Sequence, residues 1–527
     1  MISKISKYQN FIIIFVIYSI SFSAILINSG LFWDGWVINN SSADQLIQMF
    51  KDNGNYWYGY LFAIIKNTGS IILFSRLITF VAYLLVGFMF YQIVKQYIPL
   101  LSNYSLILTL YFVTFPVNFA RITIMNTPYA LCLMMFSVAY MFSLSRNNNS
   151  LNILIIAFCL FFSLFMSSLL FLMPILLIHK FIYYGYSIDI SGIKSFMASN
   201  SILFLVPLIY IALKLLFLDS SGMYIDSNYN QITINRVFAL PFRFIEGLYS
   251  SVFLPINMSI NYSLINSTLV LIMLFILNKL KILKQTSFNE LNLSNSDLKK
   301  LILLSILLIF LGMFAYLLVG KTPSLTNWNS RHQILVPIGA SIFVFVFISL
   351  ILGKIKSGVI KAQLALLPIA IFVVFNINIY FSYIIDWYKQ ESFIENVIIN
   401  EELMDSNTFI IIDNTKELNA LNRSKSFIDY TGIFKKRLIT EDKLADENKM
   451  LDLNEYQKYK ADKVYGISDW EPSPASKIAY LNYGSFVIDN LAIFKMTLNR
   501  FINKSKNVKN IQNILKIEVI DIGDYHD

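Results

Sequence analysis

The chain has 527 residues, of which 56 % are hydrophobic and only 14 % are charged, and its formal net charge is +10. Soluble domains carry about 25 % charged residues, so this composition excludes a chain of ordinary soluble domains and indicates an integral membrane protein. A positive charge can mark a nucleic-acid partner. Here, however, most Lys and Arg lie in short loops between apolar runs, the pattern of membrane orientation, which argues against nucleic acid.

The apolar runs predict an α-helical polytopic protein. A helix needs about 20 mostly apolar residues to span a bilayer, and eleven candidate spans approach that length. They are 10–28, 70–94, 101–120, 127–145, 151–165, 167–184, 199–218, 264–283, 300–319, 333–353 and 363–385. We predict two helices at 151–165 and 167–184 because Ser167 and Ser168 mark a break. Two helices also keep Lys180 and the lysines at 279–300 on the inner side.

This topology predicts a cytoplasmic N-terminus and two regions with different roles. Residues 1–385 form a transmembrane domain with outer loops at 29–69 and 219–263, and residues 386–527 form a small extracytoplasmic α/β domain of ordinary size. The first outer loop is predicted to contain helices at 43–51 and 57–65, the second of them lying in the membrane interface. Within the last region we predict buried strand 408–413, a strand followed by a helix over 486–501, and terminal strand 516–522.

The first candidate functional motif, Trp33-Asp34-Gly35-Trp36, follows the first span directly. A carboxylate at the hydrocarbon edge is costly unless it is partnered or functional, so Asp34 is a candidate catalytic residue. The alternative is an ordinary interfacial belt, in which Trp33 and Trp36 are anchors and Asp34 faces water. The same loop contains two further carboxylates, Asp44 and Asp52, as candidate supporting residues.

Basic residues in later outer loops form the second candidate set. Arg331 and His332 follow Trp328 at the outer start of the tenth span, and Lys321 lies shortly before them. A guanidinium can hold phosphate through two parallel hydrogen bonds, and a lysine adds a point charge. The loop 219–263 adds Arg236, Arg243 and Glu246. The alternatives are snorkelling arginines at the membrane edge and solvated loop charges.

Several motifs of other enzyme classes are missing from the sequence. It contains no Asp-x-Asp triplet, no phosphate-binding loop, no dinucleotide fingerprint and no HExxH motif. Both cysteines, Cys132 and Cys159, lie inside apolar runs and predict neither a disulfide nor a metal site. These features argue against a nucleotide-sugar, ATP-driven or zinc-dependent enzyme.

The architecture resembles the GT-C superfamily of membrane glycosyltransferases. The resemblance is carried by Phe32-Trp33-Asp34-Gly35-Trp36 after the first span, by Ser330-Arg331-His332-Gln333, and by the many spans with a C-terminal outer domain. It implies a sugar donor carried on a polyprenyl phosphate, with Asp34 as the catalytic base. Many members have two adjacent acidic residues where this chain has Asp34 and Gly35. The number of spans and the large outer segments also resemble bacterial serotype-converting O-antigen glucosyltransferases.

The resemblance implies an inverting transfer at the outer face of a bacterial inner membrane, with the C-terminal domain in the periplasm. Asp34 would deprotonate the acceptor hydroxyl of a cell-surface glycan, and cations would stabilise the departing phosphate. The expected cations are Arg331, His332 and Lys321, with Arg236 and Arg243. No cofactor is implied, although some relatives use a divalent metal. The alternatives are a flippase or transporter of lipid-linked sugars and an O-antigen or capsule polymerase.

Overall fold

The structure is a computed structural model of the chain. It describes residues 2–145, 149–217, 232–280, 282, 293–326, 328–405, 408–437, 444–447, 477–488, 490–502 and 504–522. The predicted loop 219–263 is therefore described from residue 232 onward, and its first part lies outside the described residues. Most of the predicted inner loop between Lys281 and Lys299 also lies outside them.

The chain folds mainly as α-helices, whose bounds in chain order are as follows. The first eight are α1 Ile2–Phe22, α2 Ala24–Ile27, α3 Gly35–Asn40, α4 Ala43–Asp52, α5 Tyr56–Lys66, α6 Ile71–Tyr97, α7 Ser105–Thr114 and α8 Thr127–Ser143. The next eleven are α9 Ser150–Ser163, α10 Met173–Tyr183, α11 Ile190–Ser199, α12 Ser201–Phe217, α13 Ile234–Phe238, α14 Leu240–Leu248, α15 Leu254–Ile265, α16 Ser267–Lys279, α17 Asn295–Leu318, α18 Val336–Leu352 and α19 Gly358–Ile399. The last four are α20 Glu401–Asp405, α21 Phe427–Arg437, α22 Asn490–Ile502 and α23 Lys504–Gln512.

Shorter helical turns join several of these helices. The 3-10 turns are Pro99–Tyr104, Phe119–Ile122, Ile124–Asn126, Ser167–Leu172, Trp328–Gln333, Lys416–Leu418 and Ala420–Asn422, and a π turn covers Tyr249–Phe253. The break predicted at Ser167 and Ser168 is confirmed, because α9 ends at Ser163 and a 3-10 turn precedes α10.

Four described helices are long and apolar enough to cross a membrane, or six if two sharply bent pairs each form one span. The four are Ile71–Tyr97, Ile124–Ser143, Asn295–Leu318 and Gly358–Ile399. The bent pairs are Ile190–Ser199 with Ser201–Phe217, at 69°, and Leu240–Ile265 with Ser267–Lys279, at 102°. The protein is thus a helical protein with candidate membrane spans, but the predicted count of eleven is not supported.

Helix length explains the lower count. The remaining predicted segments correspond to apolar helices or parts of helices of 10–17 residues, such as Tyr8–Phe22 within α1. At about 1.5 Å per residue, a helix such as Ser150–Ser163 is roughly 21 Å long, less than the hydrocarbon core of about 30 Å. An apolar run in the sequence does not show where its helix breaks, so hydropathy alone overestimates the spans.

Helices form at both places predicted within residues 29–69. Helix α4 begins with a capping box, in which the Ser42 hydroxyl accepts from the Gln45 amide and the Gln45 side chain accepts from the Ser42 amide. Helix α5 packs against it so closely that a Cβ at Gly59 would lie 2.8 Å from the Ile47 Cα. The loop is therefore a compact helical layer.

The C-terminal region contains a four-stranded sheet. Its strands are β1 Thr408–Asp413, β2 Leu444–Glu447, β3 Lys477–Tyr483 and β4 Leu515–Asp521, in the order β2-β1-β3-β4. Strand β1 runs parallel to β2 and β3, and β4 is antiparallel to β3. The predicted strands 408–413 and 516–522 are confirmed, as is the helix within 486–501, but the strand before that helix lies at 477–483.

Helix α19 connects the apolar helices to this sheet without a break. It runs for 42 residues, through the predicted boundary between Ile385 and Asp386. Residues Asp386 to Gln390 are buried although three of the five are polar or charged. The C-terminal region is consequently packed around the end of a helix that begins among the apolar ones.

Candidate functional site

Asp34 lies at the start of α3, directly after a residue in a strained conformation. Trp33 has a φ of +48°, a left-handed value that non-glycine residues rarely adopt. The turn is closed by the Gly35 amide, which donates to the Phe32 carbonyl at 3.0 Å, and by the Trp36 amide, which donates to the Trp33 carbonyl at 3.1 Å. Strain of this kind is often concentrated at functional sites.

The carboxylate of Asp34 is available for chemistry. The residue is partly exposed, and within the described part of the chain its side chain accepts no hydrogen bond and forms no ion pair. Desolvation of the carboxylate raises the pKa of Asp34, Arg331 opposes that rise, and Asp429 adds to it. Asp34 is therefore a better proton acceptor than an ordinary aspartate.

Stacked aromatic rings connect Asp34 to the basic segment at 328–333. The Trp33 and Trp328 rings lie 5.7 Å apart at 31° to each other. The Arg331 guanidinium lies over the Trp328 ring, 4.2 Å from its centroid. Two motifs almost 300 residues apart in the sequence thus meet in one place, and Arg331 is the cation that acts on Asp34.

His332 is a buried neutral imidazole with a free donor. Burial, Arg331 and Lys321 together hold the pKa of His332 well below its usual range. The Arg331 Nε donates to His332 Nε2 at 3.3 Å, which assigns the imidazole proton to Nδ1. That Nδ1 is buried and has no hydrogen-bond partner in the described structure. The Tyr316 ring, 4.4 Å away, covers one face of the imidazole.

Two arginines meet at the turn that ends α17. Gly320 has a φ of +81°, and a Cβ there would lie 2.6 Å from Arg243 Nη1 and 3.0 Å from Arg236 Nε. A side chain at this position would be strained by the backbone conformation and would displace the two arginine side chains. The Nη1 of Arg243 is buried and makes no hydrogen bond within the described structure.

Lys321 follows Gly320 and belongs to the same group. Burial, Arg331 and Arg236 lower the pKa of Lys321 to about 8, because neighbouring positive charges disfavour a protonated amine. We call Arg236, Arg243, Lys321, Arg331 and His332 the cation cluster. All five were predicted from sequence as phosphate ligands. Arg331 acts on Asp34, and Lys321 is influenced by both Arg331 and Arg236.

Two arginines of the cation cluster, Arg243 and Arg331, have no carboxylate partner among the described residues. Glu246, which shares α14 with Arg243, is exposed and also makes no ion pair there. A buried donor atom such as Arg243 Nη1 is costly unless an acceptor satisfies it.

Other predicted residues of the first loop have structural surroundings. Asp44 is exposed in the first turn of α4, where a negative charge suits the helix dipole. Asp52 accepts from Gln48 Nε2 at 2.7 Å on the same helix. Trp36 is only 1 % exposed, and a Cβ at Gly432 would lie 2.7 Å from its Cβ. It is therefore buried beneath α21 instead of anchoring an interfacial belt.

The sequence did not reveal a second group of charges next to Trp33. We call it the charge network. It consists of Asp386, Lys389, Asp413, Arg423, Lys425 and Asp429, all buried. Lys389 pairs with Asp413 at 2.6 Å and Lys425 with Asp386 at 3.1 Å. Arg423 bridges Asp386 at 3.0 Å and Asp429 at 3.2 Å.

Arg423 also brings the C-terminal region into the site. Its guanidinium lies 4.9 Å from the Trp33 ring centroid and 5.4 Å from that of Phe32. The signal in the sequence was the pair Asp386 and Lys389, three residues apart on the helix and directly after its long apolar run. Their partners lie 24 to 39 residues further along the chain, and sequence spacing does not identify them.

The fold and the site together define a helical protein with candidate membrane spans, an unpaired carboxylate and a neighbouring cation cluster. No group of three or more His, Cys, Asp or Glu side chains is arranged to hold a metal within the residues that were described. A comparison with known proteins gives no match to this chain among family models, curated sequences or solved structures.

Proposed function

We propose that the protein is an inverting membrane glycosyltransferase. It moves a sugar from a polyprenyl-phosphate donor to an O-antigen-type glycan acceptor at the outer face of the membrane. The observation that carries the proposal is the unpaired Asp34 carboxylate next to Arg331 and the cation cluster. A base beside an anion site is what this reaction requires.

Asp34 acts as the general base. The acceptor hydroxyl gives its proton to the carboxylate while its oxygen attacks the anomeric carbon of the sugar. A raised pKa supports this role, because proton transfer is most effective when the pKa of the base lies near the working pH. The strained Trp33 and its contact with Trp328 hold the carboxylate in place.

The cation cluster stabilises the leaving phosphate. As the bond between the anomeric carbon and the phosphate oxygen breaks, its electron pair moves onto the phosphate. The Arg331 guanidinium, which acts on Asp34, and the unpartnered Nδ1–H of the adjoining His332 are the donors that receive this charge. A neutral imidazole donates a hydrogen bond without repelling the neighbouring arginine.

The candidate spans suit a donor with an isoprenoid tail. We place the protein in a bacterial inner membrane, with a cytoplasmic N-terminus and residues 386–527 in the periplasm, where the acceptor glycan is found. A reporter fused after Asp527 tests the orientation. It is expected to be active only in the periplasm, and activity confined to the cytoplasm contradicts this part of the proposal.

The direct test is sugar transfer by the purified protein in lipid vesicles. A labelled sugar on polyprenyl phosphate is supplied with an acceptor glycan, and the Asp34→Asn protein is the control. Label on the acceptor that requires Asp34 supports the proposal. If the label instead crosses the bilayer while still attached to the lipid, the protein is a flippase and not a transferase.

A further inference from the structure

Side chains on either side of Arg331 hold the turn between α7 and α8. The Asn118 amide donates to Gln333 Oε1 at 3.2 Å. The Ala120 amide donates to Ser330 Oγ at 2.9 Å. All four of these residues are buried. The 3-10 turn that carries Arg331 is therefore fixed to the α7–α8 turn by one bond before the arginine and one bond after it.

The irregular backbone of the α7–α8 turn explains why a side chain is needed there. Asn118 has a φ of +56°, a left-handed value that lies outside the helical region. A buried amide without an acceptor is costly, so the Gln333 carbonyl oxygen stabilises the turn. The other end of the same side chain, Gln333 Nε2, donates to the Ser250 carbonyl and to Ser251 Oγ, each at 3.2 Å. These two bonds fix which end of the amide faces Asn118.

Arg76 on α6 connects the same turn to the loop that carries Asp34. Its Nε donates to the Ile122 carbonyl at 3.0 Å, which belongs to the α7–α8 turn. Its Nη2 donates to the Gly30 carbonyl at 2.5 Å, and its Nη1 donates to the Asn28 carbonyl. Arg76 is buried, so water does not compete for these bonds. One guanidinium group therefore joins the backbone of two segments that are far apart in the sequence.

The loop that leads to Asp34 is also held by α19. The Leu31 amide donates to Gln390 Oε1 at 3.1 Å, and Gln390 Nε2 donates to the Leu31 carbonyl at 2.9 Å. Two residues separate Leu31 from Asp34, and one of them is the strained Trp33. The backbone before the carboxylate is thus fixed by two helices, α6 and α19.

We propose that Arg76, Ser330 and Gln333 are positioning residues, which fix where Arg331 lies relative to Asp34. This role rests on the proposed function, in which the base and the phosphate ligand act on opposite sides of one anomeric carbon. None of the three needs to contact the substrate, because each acts through backbone groups of the α7–α8 turn. A displacement of about 1 Å in such a geometry can cost about 100-fold in rate.

The test measures the pKa of Asp34 by carbodiimide labelling of the protein in nanodiscs at a series of pH values, read by mass spectrometry. Arg331 lowers the pKa of Asp34, and Asp429 on α21 raises it. If Ser330→Ala lets Arg331 move away, the pKa of Asp34 is expected to rise by roughly half a unit, the size of a partly exposed pair. Gln333→Met is expected to raise it as well. Transfer by either variant should show a kcat about five- to tenfold lower.

Ser349→Ala is the matched control. Ser349 is a buried serine on α18, and its hydroxyl donates to the Phe345 carbonyl of its own helix at 2.8 Å. Its replacement should change neither the pKa of Asp34 nor kcat. Ser330→Thr keeps a hydroxyl group and is expected to restore both values towards wild type. Both alanine variants should melt within about 4 °C of wild type, since each loses one hydrogen bond.

An unchanged pKa of Asp34 in both Ser330→Ala and Gln333→Met contradicts the positioning role, as does an equal shift in Ser349→Ala. A shifted pKa with unimpaired transfer also contradicts it. Labelling does not depend on transfer, so failure of the proposed function is recognised separately. A shifted pKa in a protein whose wild type transfers no sugar removes the transferase and leaves these residues as supports of the charge pair.

Discussion

The cation cluster and the charge network lie on two sides of Trp33 and differ in how their charges are satisfied. The network pairs three carboxylates with three cations, at distances of 2.6 to 3.2 Å. The cluster leaves Arg243 Nη1 and His332 Nδ1 without partners in the described structure. A balanced, buried network holds parts of a fold together, whereas two buried donors without partners are suited to an external anion.

The charge network connects the end of α19 to strand β1 and the turn that follows it, so we call it a structural joint. Lys389 on α19 donates to both carboxylate oxygens of Asp413 on β1, to the Thr415 carbonyl and to Asn419 Oδ1. Burial would raise the pKa of Asp413, but Lys389 and Lys425 outweigh it and hold the pKa at about 2. The Asp413 carboxylate is therefore ionised, and its contacts with Lys389 fix the C-terminal region against the helix end.

The largest expected effect comes from Asp34→Asn, which preserves size but removes the proton acceptor. We expect sugar transfer to fall by about 10²- to 10⁴-fold, the usual contribution of a general base, while donor binding is retained. Transfer of labelled sugar in vesicles measures this. Asp44→Asn, an exposed carboxylate in the same loop, is the control and should stay near wild type. Full activity of the Asp34→Asn protein would remove the base assignment.

Breaking the charge network should mainly lower the free energy of unfolding. Arg423→Met leaves Asp386 and Asp429 buried with less compensation, and we expect a loss of about 3–5 kcal/mol in the free energy of unfolding. Denaturant titration in mixed micelles measures it. Lys436→Ala removes the half-exposed pair with Glu391, and that loss should stay within about 1 kcal/mol. Equal losses in the two variants would contradict a structural role for the network.

Within the cation cluster, Arg331→Ala should reduce transfer by roughly one to two decades, as expected for a lost charge-assisted contact of about 1.5–3 kcal/mol. The free energy of unfolding should hardly change, since Arg331 pairs with no carboxylate in the described structure. Arg331→Lys should rescue poorly because the two-pronged geometry is lost. If both variants keep wild-type transfer, the phosphate is held by other residues.

The smallest effect concerns pH. Lys321 is positive below its pKa of about 8 and loses its charge above it, so kcat/KM should fall as pH rises through about 8. Asp34 must be ionised, so the rate should also fall as pH drops through its raised pKa. Lys321→Arg should move only the alkaline limb, to higher pH, in a pH–rate profile. An unchanged alkaline limb would show that another group controls it.

Some parts of the fold were predictable because they depend on neighbouring residues alone. The run from Thr408 to Asp413 is apolar and β-branched, and it forms a strand within those limits. Ser42 and Gln45 cap α4 across three residues. A site that combines Asp34 with basic residues was also predicted, but from the residue types and the family resemblance, without any distance between them.

The sequence by itself determined the helical membrane character and the candidate functional residues. Both can be read without the tertiary structure, because they depend on composition and on short motifs. Tertiary structure alone decided how many apolar runs are long enough to span, since a helix break depends on packing and not on hydropathy. It also decided which charges meet. Arg243 lies against Gly320, and Arg423 lies over the Trp33 ring, although each pair is far apart in the sequence. Burial then determines whether each charge needs a partner.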